Sequence, residues 1–368
     1  MTEFEERSTM TTQQQQLDQD RAEAFAERLL EALNGGAIAL MTSIGHRTGL
    51  FDAMAGLPPS TSQQIADAAG LNERYVREWL SAMVVGRVVE YEPEDGTYRL
   101  PQEHAAFLTR AASPDNIAVI AQYIPLMGSV EDGIVESFKH SGGLPYAAFP
   151  HFHEVMAEDS GQTVVAALTD QILPLIPGLS ERLQKGIDVL DVGCGSGRAL
   201  NLLARTFPNS RFSGYDFSEE AIAHAHAEAK EHGTTNVHFE VKDVAVLDEK
   251  ARYDLITTFD AVHDQADPAA VLKGISEALR EDGVYLMQDI AGSSHVHKNI
   301  EHPIGPLLYT ISTMHCMTVS LEQGGQGLGT MWGEEKAKQM LEEAGFTRVE
   351  VEQLPHDFTN NYFIITKG

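Results

Sequence analysis

The stretch VLDVGCGSGRAL, residues 189–200, decides the fold: an apolar run ends in Asp191, and three glycines follow at alternate positions before a helical pattern begins. In an open parallel sheet, the first strand-to-helix turn is the place where a ligand comes close to the backbone. Glycine permits the sharp turn and removes side chains that would hold a ligand away. A dinucleotide fingerprint needs its third glycine at position 198, which is Arg198, and no Lys-Ser/Thr pair follows to cradle phosphates. The spacing therefore suits neither phosphate ligand.

From Ile187 onward, short apolar segments alternate with helical patterns: IDVLDV, RFSGYD, VHFEVKD, YDLITTF and VYLMQDI. Such alternation implies parallel strands joined by crossover helices. The tail, RVEVEQLPHDFTNNYFIITKG, offers two strands with a short connection, so the sheet should finish in an antiparallel hairpin. The expected class is α/β, with a Rossmann-like, doubly wound sheet of seven strands over residues 186–368.

Acids stand at successive strand ends. Asp216 lies 19 positions after Gly197, where a carboxylate can accept both hydroxyls of a ribose, and Phe217 beside it offers a wall for a base. Asp243, followed by Val244, ends the third strand, where it could accept an exocyclic amine. Together these residues describe an adenosine without phosphates, beside an acid-rich loop suited to a cationic substituent. S-adenosylmethionine is such a molecule.

The motifs DVGCGSGRAL, GYDFS, VKDV and YDLITTFDAVHD, in that order, resemble the cofactor motifs of class I S-adenosylmethionine-dependent methyltransferases. The resemblance implies that Asp191 and the backbone of Gly193, Gly195 and Gly197 hold the methionine part of the cofactor. It implies that Asp216, with Phe217, holds the ribose, and that Asp243 and Val244 frame the adenine; Phe259 joins the expected cofactor set. Asp191 can also be read as a loop or helix cap. Cys194 reads as a small filler between glycines.

Methyl transfer needs a positioned acceptor and often a base. The segment DAVHDQADPAAVLKGISEAL resembles the His-Asp segment of small-molecule O-methyltransferases, which implies His263 as general base, with Asp264 orienting its ring or capping the next helix. The tryptophan common after that His-Asp pair is Gln265 here. His263 is alternatively a loop histidine that caps a helix or lines the pocket. Asp260, Asp264 and Asp289 raise the option of magnesium, but the spacing is too loose to specify a metal site and none is expected. The long segment 291–332 reads as a lid at the ligand face. Tyr309, Met314, His315 and Trp332 from it, with Tyr123, Phe138 and the FPHFHEVM stretch opposite, are the expected acceptor walls.

Ahead of the sheet, residues 1–20 read as a disordered head, 21–110 as a winged-helix unit and 111–185 as helices contributing to the acceptor pocket. An apolar helical pattern runs from Arg21 to Leu50, with Gly35-Gly36 interrupting it. Ser60 or Thr61 can cap a helix ending at Gly70, Asn72 a second helix through Val84, and two short strands flank the turn Pro93 to Gly96. Between Phe51 and Leu100 stand four basic residues against eight acids, which opposes binding to phosphate. GLFDAMAG, TSQQIADAAGLNERYVREWL and YRLPQEHAAFL resemble the dimerisation domain of bacterial winged-helix methyltransferases, which implies a homodimer.

The bulk properties agree. A chain of 368 residues has room for two domains, and a net charge of −28 disfavours nucleic acid or an anionic membrane as partner. Two distant cysteines and the absence of an apolar leader fit a cytoplasmic protein. The expected function is methyl transfer from S-adenosylmethionine to a small molecule, at oxygen first and at sulfur or nitrogen otherwise. The other class of reading is a ligand-sensing regulator whose winged helix touches DNA.

Overall fold

The computed structural model describes residues 17–368, so most of the expected head lies outside the described residues. A single helix, Gln19–Arg47, opens the described chain, capped by the Asp18 carboxylate. It runs unbroken through Gly35 and Gly36, where an interruption was expected. A Cβ at either glycine would meet nothing, so nothing there depends on their being small. The cost of leaving glycine in the helix is about 1 kcal/mol each. The Trp79 indole N–H donates to the Met41 carbonyl at 2.9 Å and docks the second half of the helix on the winged unit. Phe25, Leu29, Leu33, Leu40 and Ile44, mostly four residues apart on one face, stay exposed on the single chain.

The winged unit follows the expected caps. Thr61 and Gln64 form a reciprocal capping box on the helix Ser62–Ala69, and Asn72 caps Glu73–Val85. Strands β1 (Glu90–Glu92) and β2 (Thr97–Arg99) pair antiparallel. Phe51, Ile65, Leu80 and Met83 fill its core. Arg74, Arg77 and Arg99 are each paired with an acid of their own helix or hairpin, Glu78, Glu73 and Glu90. Three of the four basic groups in this segment are thus already neutralised.

The large sheet contains β3 (Asp188–Val192), β4 (Arg211–Asp216), β5 (Val237–Val241), β6 (Tyr253–Phe259), β7 (Leu279–Ile290), β8 (Arg348–Leu354) and β9 (Asp357–Thr366). Its order is β5-β4-β3-β6-β7-β9-β8, parallel through β7 and antiparallel at β9 and β8. This is the seven-stranded, doubly wound sheet with a reversed terminal hairpin. Apolar clusters cover both faces, one around Leu200, Phe212 and Leu255, the other around Ile256, Leu272 and Phe363. The strand order reverses direction between β3 and β6, and the carboxyl ends on either side of that switch open the crevice where such sheets bind ligands.

Two helical layers close over the crevice. One comes from Tyr123–Gly128 and Phe152–Ser160, followed by wide π-helical turns at Gly161–Val165 and Leu168–Ile172. The other comes from within residues 291–332 and is built as Gly305–Ile311, a π-helical turn Ser312–Cys316, and Met317–Glu322. Tyr123, Phe149, Phe152 and Val319 form an apolar cluster that joins the layers. Among the described residues, no single helix is long and apolar enough to cross a membrane.

Candidate active site

β3 delivers Asp191 to the crevice, 3% exposed, where the Thr257 hydroxyl from β6 donates to it at 2.7 Å. Burial pushes its carboxyl up to about 7, with the Thr257 hydrogen bond opposing and the charge of Asp216 adding. The loop then turns at Gly195, φ +50°, whose N–H donates to Asp216 Oδ2 at 2.9 Å. A Cβ at Gly195 would point into open space, whereas one at Gly197 would strike the Phe239 ring at 2.6 Å and Ala225 at 2.7 Å. Gly195 therefore leaves room for a ligand, and Gly197 leaves room for helix-on-sheet packing.

The loop opens on a cavity of about 1490 Å³. One half is walled by Asp191, Gly193, Asp216, Phe217, Val244 and Phe259, the other by Tyr123, Tyr146, Phe152, Ile311, His315 and Cys316, with His263 also on its wall. His263 is buried, and its Nδ1 lies 2.8 Å from Asp289 Oδ1. That same oxygen accepts the Trp332 indole N–H at 3.0 Å and the Ile290 N–H at 2.8 Å. Against an ionised carboxylate Nδ1 carries the hydrogen, which leaves Nε2 for other work. Burial alone would lower the His263 pKa, but the Asp289 charge and hydrogen bond, with Cys316 adding, hold it well above the usual histidine range.

Asp260, with φ +50°, receives Gln288 Nε2 at 3.0 Å on one oxygen; its other oxygen and Asp289 Oδ2 have no partner among the described residues. Burial, then the charge of Asp289, raises the Asp260 carboxyl well above its usual range. Ligand atoms of Asp260, His263 and Asp289 lie within 4.8 Å of one another, an arrangement a divalent cation could use. Asp289 Oδ1 already accepts three hydrogen bonds, however, and His263 is one of their donors.

Comparison with known proteins finds likenesses for both parts of the chain. Residues 36–110 match the model of the Rv2258c-like winged HTH domain, and residues 183–345 match that of a methyltransferase domain. The chain thus joins a segment that matches a winged-helix domain to one that matches a methyltransferase domain. A ubiquinone biosynthesis O-methyltransferase from Leptothrix cholodnii is 29% identical over 107 residues, 28% of this chain and 45% of that protein. The chain spans less than half the length of the first curated relatives it matches, which include both N- and O-methyltransferases. Among solved structures, mitomycin 7-O-methyltransferase has a TM-score of 0.68 at 17% identity, covering 94% of this chain and 99% of that one. Human N-acetylserotonin methyltransferase, solved with S-adenosylmethionine, has a TM-score of 0.65 at 18% identity, covering 93% and 98%. At these identities the likeness is one of fold.

Within the methyltransferase domain, most of the expected cofactor residues converge on the cavity, and two do not. Gly197 packs behind the loop, and Asp243 is exposed, its carboxylate spent on the Ala245 N–H at 2.9 Å as the cap of a short turn. Val244 beside it does line the cavity. Asp216 receives a second backbone N–H, from Ser218 at 2.9 Å, so its carboxylate is fixed at the strand end.

The expected catalytic pair is corrected in its second member. Asp264 does not orient His263: its carboxylate takes the Tyr146 hydroxyl and Gln265 Nε2. Neighbours on a tight loop point apart, whereas Asp289 ends β7 directly beside β6, where Phe259 pairs with Gln288. Among the expected acceptor residues, Tyr123 and His315 line the cavity. Tyr123 donates to Asp159 Oδ2 at 2.9 Å, and burial pushes that carboxyl up to about 6 against this hydrogen bond. Tyr309 instead accepts from Asn299 Nδ2 at 2.9 Å, and Met314 packs in the joining cluster. Trp332 stands behind the cavity on Asp289, and Phe138 is 78% exposed. Tyr146 was missed; it lies in a Gly- and Pro-rich stretch without periodicity, and only the fold brings it to Asp264.

Proposed function

We propose that the protein transfers a methyl group from S-adenosylmethionine to an oxygen of a small acceptor, with His263 as general base. The observation that carries this reading is the position of His263, on the wall of one cavity shared by the glycine-loop acids and an aromatic chamber. The cofactor fits the residues present. Asp191 is a buried carboxylate held at the edge of ionisation, and the ammonium of a methionine group would favour its charged form. The open space at Gly195 admits the ligand to the backbone, Asp216 would take the ribose hydroxyls, and Phe217 with Val244 would enclose the base. When bound, the cofactor supplies a methyl carbon activated by a sulfonium.

The chain's own residues do the rest. Asp289 fixes the His263 ring through Nδ1, and Trp332 fixes Asp289. Nε2 is the atom left to take the acceptor's proton. Because the Asp289 charge and hydrogen bond raise the ring's pKa, its neutral form gains population as pH rises, and turnover should climb with pH. The aromatic layer excludes water and holds the acceptor flat.

The working unit is a homodimer. The apolar stripe from Phe25 to Ile44 has no cover among the described residues, and a second copy of the same helix region would bury it. Two unpaired cysteines suit a reducing, cytoplasmic compartment. The test is calorimetric titration with S-adenosylhomocysteine together with a turnover assay on His263→Ala. Turnover should fall roughly 100-fold or more, as loss of a general base does, with cofactor affinity kept. Equal turnover would remove His263 from the role.

A further inference from the structure

Arg198, the residue whose presence excludes a dinucleotide fingerprint, stands where the two halves of the cavity meet. It opens the helix Arg198–Thr206 directly behind the glycine loop. Its guanidinium crosses to the opposite layer, where Nη1 donates to the Ala157 carbonyl at 2.7 Å. A Cβ at Gly161 would lie 3.4 Å from that same nitrogen. The contact thus falls where the helix Phe152–Ser160 gives way to the π-helical turn Gly161–Val165. The bond uses one of the five N–H donors of the guanidinium, and no ion pair engages the rest among the described residues.

The amino-acid end of the cofactor carries a carboxylate as well as an ammonium. Asp191 suits the ammonium, but the loop itself has little to offer the carboxylate. Four of the five backbone N–H groups from Gly193 to Gly197 are already spent: those of Gly193 and Cys194 on the Tyr215 carbonyl, that of Gly195 on Asp216, and that of Gly197 on the Cys194 carbonyl. Asp191 and Asp216 wall the same half, so a carboxylate without a cation of its own would meet like charge there. The permanent positive charges that line the cavity are Arg198 and Arg205. Arg205 lies two helical turns, about 10 Å, further from the loop. Arg198 is in the first turn, where the helix has no side-chain cap and its leading N–H groups add to the same positive end.

We propose that Arg198 takes the cofactor's carboxylate on its free donors while keeping hold of Ala157, so that a filled cofactor half ties down the helix that walls the acceptor chamber. The inference rests on the cofactor placement above, with Asp191 at the ammonium. Phe152, Met156 and Asp159 of the tied helix line the cavity, so the tie orders the chamber before an acceptor arrives. Arg198 is then a binding residue for the cofactor and a positioning residue for the acceptor.

The experiment is calorimetric titration of the full chain with S-adenosylhomocysteine and with its decarboxylated analogue, which keeps the ammonium and lacks the carboxylate. The wild type should bind S-adenosylhomocysteine about tenfold or more tighter than the analogue, the worth of a charge-assisted hydrogen bond. Arg198→Met should erase that preference while affinity for the analogue stays within about twofold, and Arg198→Lys, which keeps the charge without the planar fork, should restore part of it. Hydrogen exchange gives a readout that a merely structural arginine would not move. At saturation, amides of residues 152–172 should exchange more slowly with S-adenosylhomocysteine than with the analogue in the wild type, and alike with both in Arg198→Met. A preference that survives Arg198→Met, equal losses of both ligands in it, or wild-type exchange slowed alike by both would overturn the assignment. If Arg198→Met does not fold, a wild type that binds both ligands alike, or an Arg198→Gln variant with the full preference, would overturn it as firmly. Asp191→Asn should weaken both ligands alike and keep the preference; unchanged affinity in that variant would remove the ammonium from Asp191 and leave Arg198 standing, so the two placements fail separately.

Discussion

His263 and Asp289 form a buried pair at the mouth of two adjacent strands, Nδ1 to Oδ1 at 2.8 Å, although 26 residues separate them. The sequence neighbour, Asp264, is engaged elsewhere. The pair thus joins the loop that follows β6 to the end of β7, two neighbouring strands of the sheet.

Asp289→Asn separates positioning from titration. The wild-type ring is held above its usual pKa by the Asp289 charge, against burial that pulls the other way. With the charge gone, burial prevails, so the alkaline rise in the pH–rate profile should move toward acid while kcat falls by roughly tenfold or more as the ring loses its orientation. A profile that keeps its midpoint would mean that another group controls the rate.

Cofactor affinity should depend on pH through Asp191. Its folded-state carboxyl titrates at about 7, above its unfolded value, so the neutral form prevails below that pH. The ligand's ammonium group favours the ionised form, so affinity for S-adenosylhomocysteine should be flat above pH 7 and weaken by up to about tenfold per pH unit below it. In Asp191→Asn the dependence should vanish at a uniformly weaker affinity. Titrations between pH 5 and about 8.5 check this, and a slope that persists in the variant would assign it elsewhere.

Two glycines of one loop should respond oppositely to a methyl group. Both Gly195→Ala and Gly197→Ala place alanine at positive φ, a strain of about 1 to 2 kcal/mol. Gly197→Ala adds collision with Phe239 and Ala225, worth a further 1 to 3 kcal/mol or so, and should lower the melting temperature clearly more. Gly195→Ala should instead lose cofactor affinity, because its methyl enters the ligand's space. Thermal melts and titrations on the two variants decide it; matched losses in both would mean that the loop acts as one unit.

The dimer is tested on its exposed stripe. Replacing Leu29 and Leu33 together by Asp places charge at its centre, where both side chains are at least half exposed on the single chain. Light scattering should show the wild type at twice the chain mass and the double variant at the chain mass, with the helical signal of the sheet domain kept. A wild type that runs as a monomer would refute the dimer.

The sheet, its reversed hairpin and the caps at Thr61 and Asn72 were legible because each is written locally, as a period of two or a side chain one turn from its target. The convergence of Asp191 and Asp216 on the crevice was legible for the same reason, since both sit at strand ends. Asp243 had the right address and the wrong direction: at a turn of the chain, one residue decides between cavity and solvent. The Asp289 partnership, Tyr146 and the stack of Phe152 on His315 were hidden because each joins segments more than 20 residues apart. The glycine pair in the first helix misled because glycine lowers helix propensity by an amount that the rest of a 29-residue helix can offset.

The π-helical turn Ser312–Cys316 holds one residue more than an α-helical turn would, and it is this surplus residue that lets His315 and Cys316 both face the chamber. Removing one residue there would restore an ordinary helix and rotate one flank against the other by about 100°. The chamber would then present different side chains on an unchanged scaffold. Chain length at this turn therefore sets which side chains line this part of the cavity as firmly as the identity of any one of them.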